Sequence, residues 1–567
     1  MPNSEFPRRY LRPEDHLGEW SRIEPYFDEL ERRPLESAAA VERWLVDASE
    51  LRAGIDEIGS DRYVKMTCQT DDPARERAYL NFVEHIVPRC KPRRHALNTK
   101  FVGCAHARDL PRARYHVYDR GVRNDVDLFR EENVPLQVEE SKLSQQFQKT
   151  SGAMMVQFDG REQTLQQLGV YGERVERDVR QAAWEAGSRR RLQDAEALED
   201  IFDALLALRH RIALNTGAAD YREYIFKAME RFDYTPQDCL RFHDTVERCV
   251  VPLMRAMQLR RKSELRLETL RPWDLAVDVK GRPPLRPFKA IEELIGQCST
   301  IFHRVDTELG AQFEEMHAKG YLDLESRKGK APGGYQTTYE EARHPFIFMN
   351  AVGLQRDVET LIHEGGHAFH AYACRHDPLL AYRSAPLEFA EVASMGMEMM
   401  AYEHLDVLYR GEDLARARRK HLEGVVTVLP WVATIDAFQH WMYTHPRHTR
   451  AERRATWLDL RRRFGGVEEF EGYERELALF WQRQLHLFQV PFYYIEYGIA
   501  QLGALQLWCN YRRDSGEAVR AYRRALALGG SRPLPELFAE AGLRFDFSEG
   551  TIRPLIAGVQ AELAALA

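Results

Sequence analysis

Apolar residues recur at steps of three and four along most of this chain, and that period limits its fold more than any other feature. Within residues 192–212, for example, Leu198, Ile201, Leu205, Leu206 and Leu208 follow it among charged neighbours, as an amphipathic helix requires. The same spacing returns over residues 292–316 and 405–428. Strand-like runs are few: residues 153–158, followed by the turn pair Asp159-Gly160, and residues 344–350. The expected fold is mostly α, with a small sheet embedded among helices. Breaks are expected at the polar stretch 124–141, the proline-rich segment 280–287 and the loop 328–334, none of them long enough to be a flexible linker. No repeat of fixed period points to a solenoid.

Hydrophobic residues make up 44% of the 567, enough for a folded core. Lys plus Arg number 80 against 87 for Asp plus Glu, a net charge of -7 that provides no general attraction for nucleic acid or an anionic membrane. Neither is expected as a partner. The eight cysteines are scattered with no C-x-x-C pair, as suits reduced thiols. The first ten residues lack an apolar signal region, and no run approaches the roughly 20 apolar residues that a membrane span needs. A cytoplasmic protein is expected.

The segment 357–374 contains His363-Glu364-Gly365-Gly366-His367. Four residues of helix turn through about 400°, which returns His363 and His367 to one face about 6 Å apart along the axis, a span one Zn²⁺ can bridge. Glu364 is offset by about 100° from His363, where its carboxylate can flank the ion without ligating it, as a general base must. His370 shares the imidazole face. The two glycines cost a helix about 1 kcal/mol each relative to Ala, and fit either a close-approaching backbone or ligand, or packing alone. A catalytic zinc needs a third protein ligand. Glu388, Glu391 and Glu398 lie downstream on one helical stripe, and spacing does not choose among them.

Several separated blocks resemble the oligoendopeptidase F branch of the thimet-oligopeptidase family of zinc metallopeptidases. They are Trp273-Asp274-Leu275, residues 324–335, residues 345–350, residues 357–370, residues 388–394, and His486 followed by residues 491–498; a weaker likeness begins near Glu132. The resemblance implies zinc ligands at His363, His367 and Glu391, one zinc per chain, and Glu364 as the catalytic base. It implies transition-state stabilisers at His486 and among Tyr493, Tyr494 and Tyr497, the tyrosines on a helix opened by Pro491. It further implies a large helical body split by a deep substrate channel, with a small β-sheet beside the zinc-binding helix. The N-terminal helical region 1–190 would form part of the channel wall and 191–567 the catalytic region. Ala393 departs from the family, many of whose members have proline there. Met395, four residues past the third ligand, argues against the thermolysin pattern, which has an acid at that position.

The expected activity is hydrolysis of internal peptide bonds in short unfolded oligopeptides, by zinc-activated water with Glu364 as base. Residues 345–350 are expected to form an edge strand to which substrate adds, with Phe348 and Asn350 in contact with it and Gly333, Gly334 and Tyr335 in a loop over the channel. Two alternatives stay open: an inactive helical peptide-binding protein with a structural zinc, to which Cys374 could contribute, and a zinc carboxypeptidase.

Overall fold

The apolar period is cut into elements by local capping. The run expected over residues 292–316 is two helices, Ile291–Val305 and Thr307–Ala318, because the Asp306 carboxylate accepts the N–H groups of Glu308 and Leu309 and starts a second helix. The computed structural model describes residues 5–566 apart from Lys328 and Pro332, and their side chains apart from those of Gln145, Gln148 and Gln166. It is mostly helical, with two small sheets. The run 192–212 falls in the helix Ala195–Asn215. The run 405–428 starts in a short 3₁₀ segment, Tyr402–Val407, and becomes α-helical only from Gly411. The helices used below are α1 (Pro236–Cys249), α2 (Gln355–Cys374), α3 (Leu387–Ala401), α4 (Gly411–Thr444) and α5 (Tyr494–Arg513). Among the described residues no helix is long and apolar enough to cross a membrane.

Packing sorts the chain into two compact units, each assembled from three stretches. The first comprises the described residues of Met1–Asp127, with Arg286–Ala417 and Ala500–Phe545; the second comprises Leu128–Leu285, Arg418–Ile499 and the described residues of Asp546–Ala567. These units do not follow the contiguous division 1–190 and 191–567, since residue 190 lies inside the helix Arg177–Gln193. Two of the crossings do fall where the sequence changes character, inside 124–141 and inside 280–287. The stretch 124–141 is nonetheless largely helical, lying in Arg112–Leu128 and Asn133–Gly152 with a short connection between them.

The two strand-like runs belong to separate sheets, one in each unit, and not to one sheet. In the second unit β1 (Met155–Phe158) pairs antiparallel with β2 (Arg161–Thr164) across Asp159 and Gly160, both at positive φ as a tight two-residue hairpin turn requires. In the first unit β3 (Leu322–Glu325), β4 (Tyr335–Tyr339) and β5 (His344–Ala351) form a sheet of order β3-β5-β4. Strand β3 runs parallel to β5, and β4 antiparallel with Tyr335 opposite Phe348. β5 is thus the central strand, not an edge, and Phe346 to Met349 are all buried, as a strand covered on both faces requires. Of the loop 328–334, Lys328 and Pro332 lie outside the described residues. The buried Lys330 ammonium ties this loop to the sheet by donating to the carbonyls of Asp323, Glu325 and Met349.

Candidate metal centre

Helix α2 starts where the Asp357 carboxylate accepts the N–H groups of Val352 and Leu354, satisfying donors that the first turn leaves without partners. From that start His363 and His367 fall one turn apart, with ring centroids 4.9 Å from each other. Helix α3 brings Glu391 to both: its Oε2 lies 3.6 Å from His363 Nε2 and 3.8 Å from His367 Nε2. One ligand atom from each of the three lies within 4.8 Å of the others. Ligands about 2.0–2.1 Å from a tetrahedral zinc stand roughly 3.3 Å apart, so this donor set fits the ion with little adjustment.

The glycines explain how two helices come this close. A Cβ at Gly366 would sit 2.6 Å from both the Ala393 carbonyl oxygen and Ser394 Cα, so the backbone of α3 occupies the space a side chain would need. At Gly365 a Cβ would meet the Phe302 ring at 2.6 Å. Backbone approach therefore accounts for one glycine and aromatic packing for the other. Ala393 lies in the middle of α3, its carbonyl accepting the Tyr522 hydroxyl, and its departure from proline leaves Glu391 in place.

Glu398 carries a role that spacing did not reveal. Its Oε1 lies 2.6 Å from His363 Nδ1, which turns the Nε2 side of that ring toward Glu391. This is how metal-bound imidazoles are usually oriented. The signal in the sequence was an acid two helical turns after Glu391 on the same stripe. Glu388 is buried and lies outside the ligand group. Cys374 is excluded from the group as well: its thiol donates to the carbonyls of Arg383 and His370, and burial pushes it up to about 12.

The electrostatics suit a cation. Burial, with His363 alongside, drives His367 down to about 4, so it is neutral near pH 7 and has a lone pair to offer. Burial also opposes charge on His363, but the Glu398 hydrogen bond and the carboxylates of Glu391 and Glu364 overcome it and raise the ring to about 9. The carboxylates thus attract positive charge to this point, and a metal ion can take the place of the proton. Glu364 is 8% exposed, and burial raises it to about 7 despite the opposing pull of His363. It accepts the backbone N–H of Gln336 on β4. A carboxyl poised near neutrality beside a ligand group, and outside it, is equipped to exchange protons. His370 is buried with its Nε2 unbonded and lies outside the group.

Of the residues expected to touch substrate, Phe348 is fully buried with its ring stacked on Tyr335, so it offers a peptide no surface. Tyr335 opens strand β4 and its hydroxyl is bonded to Thr67, so it lies in the sheet and not in a loop. Asn350 donates to the carbonyls of Ala331 and Gly333, and Gly334 packs against Thr360 and Phe348. The edge strand beside Glu364 is β4.

His486 belongs to the second unit, among the rings of Tyr493, Tyr494 and Tyr497 at 5.8, 4.9 and 5.8 Å. Gln484 donates to its Nδ1 at 2.7 Å, and the Tyr497 hydroxyl lies 3.5 Å from its Nε2. The Tyr494 hydroxyl accepts the Trp431 indole N–H. Pro491 does not open the tyrosine helix: Phe492 adopts a φ of 67°, its N–H donates to Gln439 and its carbonyl accepts Arg231, so α5 begins only at Tyr494.

The sequence model of Peptidase family M3 matches residues 170–555. Oligopeptidase PepF of Bacillus subtilis (strain 168) is 25% identical over 244 residues, 41% of this chain and 36% of its own. The Oligoendopeptidase F homolog of Borreliella burgdorferi is 25% identical over 256 residues, 42% of each chain. This chain thus spans less than half the length of these curated relatives. Among solved structures, PZ peptidase A with an inhibitor matches with a TM-score of 0.91 and 27% identity over 98% of both chains. A structure of a putative oligoendopeptidase F matches at 0.90 and 28%, covering 100% of this chain and 99% of the other.

Proposed function

Because the chain belongs to peptidase family M3, we propose that it is a zinc-dependent endopeptidase that cleaves internal bonds of short unfolded oligopeptides. The observation that carries this reading is the convergence of His363, His367 and Glu391 while the neighbouring Glu364 is left outside the group with its carboxyl raised to about 7. The names of the oligopeptidase and oligoendopeptidase relatives support the substrate class.

His363, His367 and Glu391 would hold the ion. Zinc bound there supplies a Lewis acid that polarises the scissile carbonyl and makes water acidic near neutral pH. Glu364 takes the proton of the attacking water and delivers it to the leaving amine, which its position near neutrality allows in both directions. Glu398 keeps His363 in the orientation that presents Nε2. An extended substrate would add to the β4 edge by main-chain hydrogen bonds, a recognition largely indifferent to side chains. The family resemblance assigns oxyanion donation to His486 with one of Tyr493, Tyr494 and Tyr497; the Tyr494 hydroxyl accepts the Trp431 indole N–H and keeps its own proton to donate.

The test is digestion of peptides of graded length, blocked at both ends, with products read by mass spectrometry. Internal cleavage of short blocked peptides is the expected result. Cleavage only of peptides with a free C-terminus would replace the proposal with a carboxypeptidase, and no cleavage at all with an inert zinc protein.

A further inference from the structure

We propose that Cys239, Asp436 and His440 form a second metal site, of the zinc class, inside the second unit and separate from His363, His367 and Glu391. Cys239 lies on α1, while Asp436 and His440 lie one turn apart on α4. One ligand atom from each is within 4.8 Å of the other two. Their exposures are 1%, 0% and 4%, so all three point into the packed interior between these helices.

Unmet polar atoms are the second observation. Asp436 Oδ1 and both ring nitrogens of His440 are buried without hydrogen-bond partners. His440 Nε2 lies 3.3 Å from Asp436 Oδ2, but not in hydrogen-bonding geometry. Core polar atoms nearly always find partners, and a buried imidazole with neither nitrogen bonded calls for an explanation. A metal ion supplies one: it takes a lone pair from the imidazole and one from the carboxylate at the same point. His243, one turn past Cys239, bonds Asp436 Oδ2 through Nε2 at 2.8 Å and thereby orients the carboxylate while leaving Oδ1 available.

The charges agree. Among the described residues the ion-pair partners of Asp436 are the imidazoles of His243 and His440, with no Lys or Arg. A carboxylate buried with no permanent cation beside it is costly. A divalent ion with one thiolate and one carboxylate is neutral overall, and the set of thiolate, imidazole and carboxylate is one zinc accepts readily. Binding would release the Cys239 thiol proton to solvent. With all three ligands closed to substrate, the site would clamp α1 to α4 and take no part in hydrolysis.

The full-length protein tests this by metal content and by cobalt spectroscopy. Zinc per chain, measured by mass spectrometry of the elements, should fall by one equivalent in Cys239→Ser and in His440→Gln, whatever is held at the other centre. A His363→Ala/His367→Ala variant should keep that equivalent. Cobalt loaded in place of zinc should give the near-ultraviolet charge-transfer band of a thiolate ligand, which the His363, His367 and Glu391 set cannot produce, and Cys239→Ser should lose it. If those variants fail to fold, the cobalt band in the unaltered protein still decides. Equal zinc in the parent and Cys239→Ser, or a cobalt-loaded parent without the band, would overturn the proposal.

Discussion

Glu398→Ala removes the carboxylate that lies 2.6 Å from His363 Nδ1 while leaving all three proposed metal ligands in place. A hydrogen bond to a charged group contributes about 1.5–3 kcal/mol when its loss leaves the partner without a replacement. At about 1.4 kcal/mol per factor of ten, zinc affinity should fall roughly 10- to 100-fold, the range found when an outer partner of a ligating imidazole is deleted. Glu398→Gln keeps an oxygen that can accept from Nδ1–H, and its loss should be smaller, under about tenfold. The assay is competition for zinc against a chromophoric chelator at neutral pH, with peptide hydrolysis followed at limiting and at saturating metal. Activity of Glu398→Ala should drop at limiting zinc and largely return in excess. An affinity within about twofold of the parent, with no order Ala below Gln below parent, would refute an orienting role for Glu398.

Gly366→Ala should destabilise the protein although alanine is the better helix former by about 1 kcal/mol, because its Cβ would press on the α3 backbone at 2.6 Å and overpacking costs about 1–3 kcal/mol; a lowered Tm with weakened zinc binding is expected, and a raised Tm would contradict the close approach. Glu340 has an oxygen without a hydrogen-bond partner, and burial raises its carboxyl from 4.5 to about 7 despite the nearby Arg383. With the folded value above the unfolded one, this group favours the folded state fully below about pH 4.5 and loses that contribution as pH rises through about 7, up to about 3 kcal/mol. Glu340→Gln should therefore raise Tm at neutral pH and flatten its pH dependence over that window, and an unchanged slope would contradict the assignment. Under the oxyanion proposal, phenylalanine at the donating tyrosine among Tyr493, Tyr494 and Tyr497 should lose about 10²- to 10³-fold in kcat with KM little changed, while the other two replacements stay within about tenfold. Losses under about tenfold for all three replacements would contradict it.

What the sequence made legible was what a few neighbouring residues decide. The spacing of His363 and His367 is one helical turn, so their alignment follows from α2 alone. Choosing Glu391 over Glu388 and Glu398 requires knowing where α3 crosses α2, and that depends on Gly366 meeting Ala393, a contact between helices that spacing on one helix cannot supply. The central position of β5 depends on β3 and β4, which precede it; its continuous apolar run Phe346 to Met349 was the available clue, since a half-exposed strand alternates. The start of α5 moved past Pro491 because Gln439 and Arg231, both remote in sequence, hold Phe492 in the left-handed region. Asp306 was readable: an acid before Thr307 and Glu308 is a helix-start signal inside an apolar period that otherwise runs on.

Zinc content and peptide hydrolysis measured together on Glu364→Gln and Glu391→Gln put the division between base and ligand to the test most directly. The account predicts that Glu364→Gln keeps the parent's zinc and loses nearly all turnover, while Glu391→Gln loses zinc and turnover together. Parent-like turnover in Glu364→Gln, or full zinc in an active Glu391→Gln protein, would contradict it.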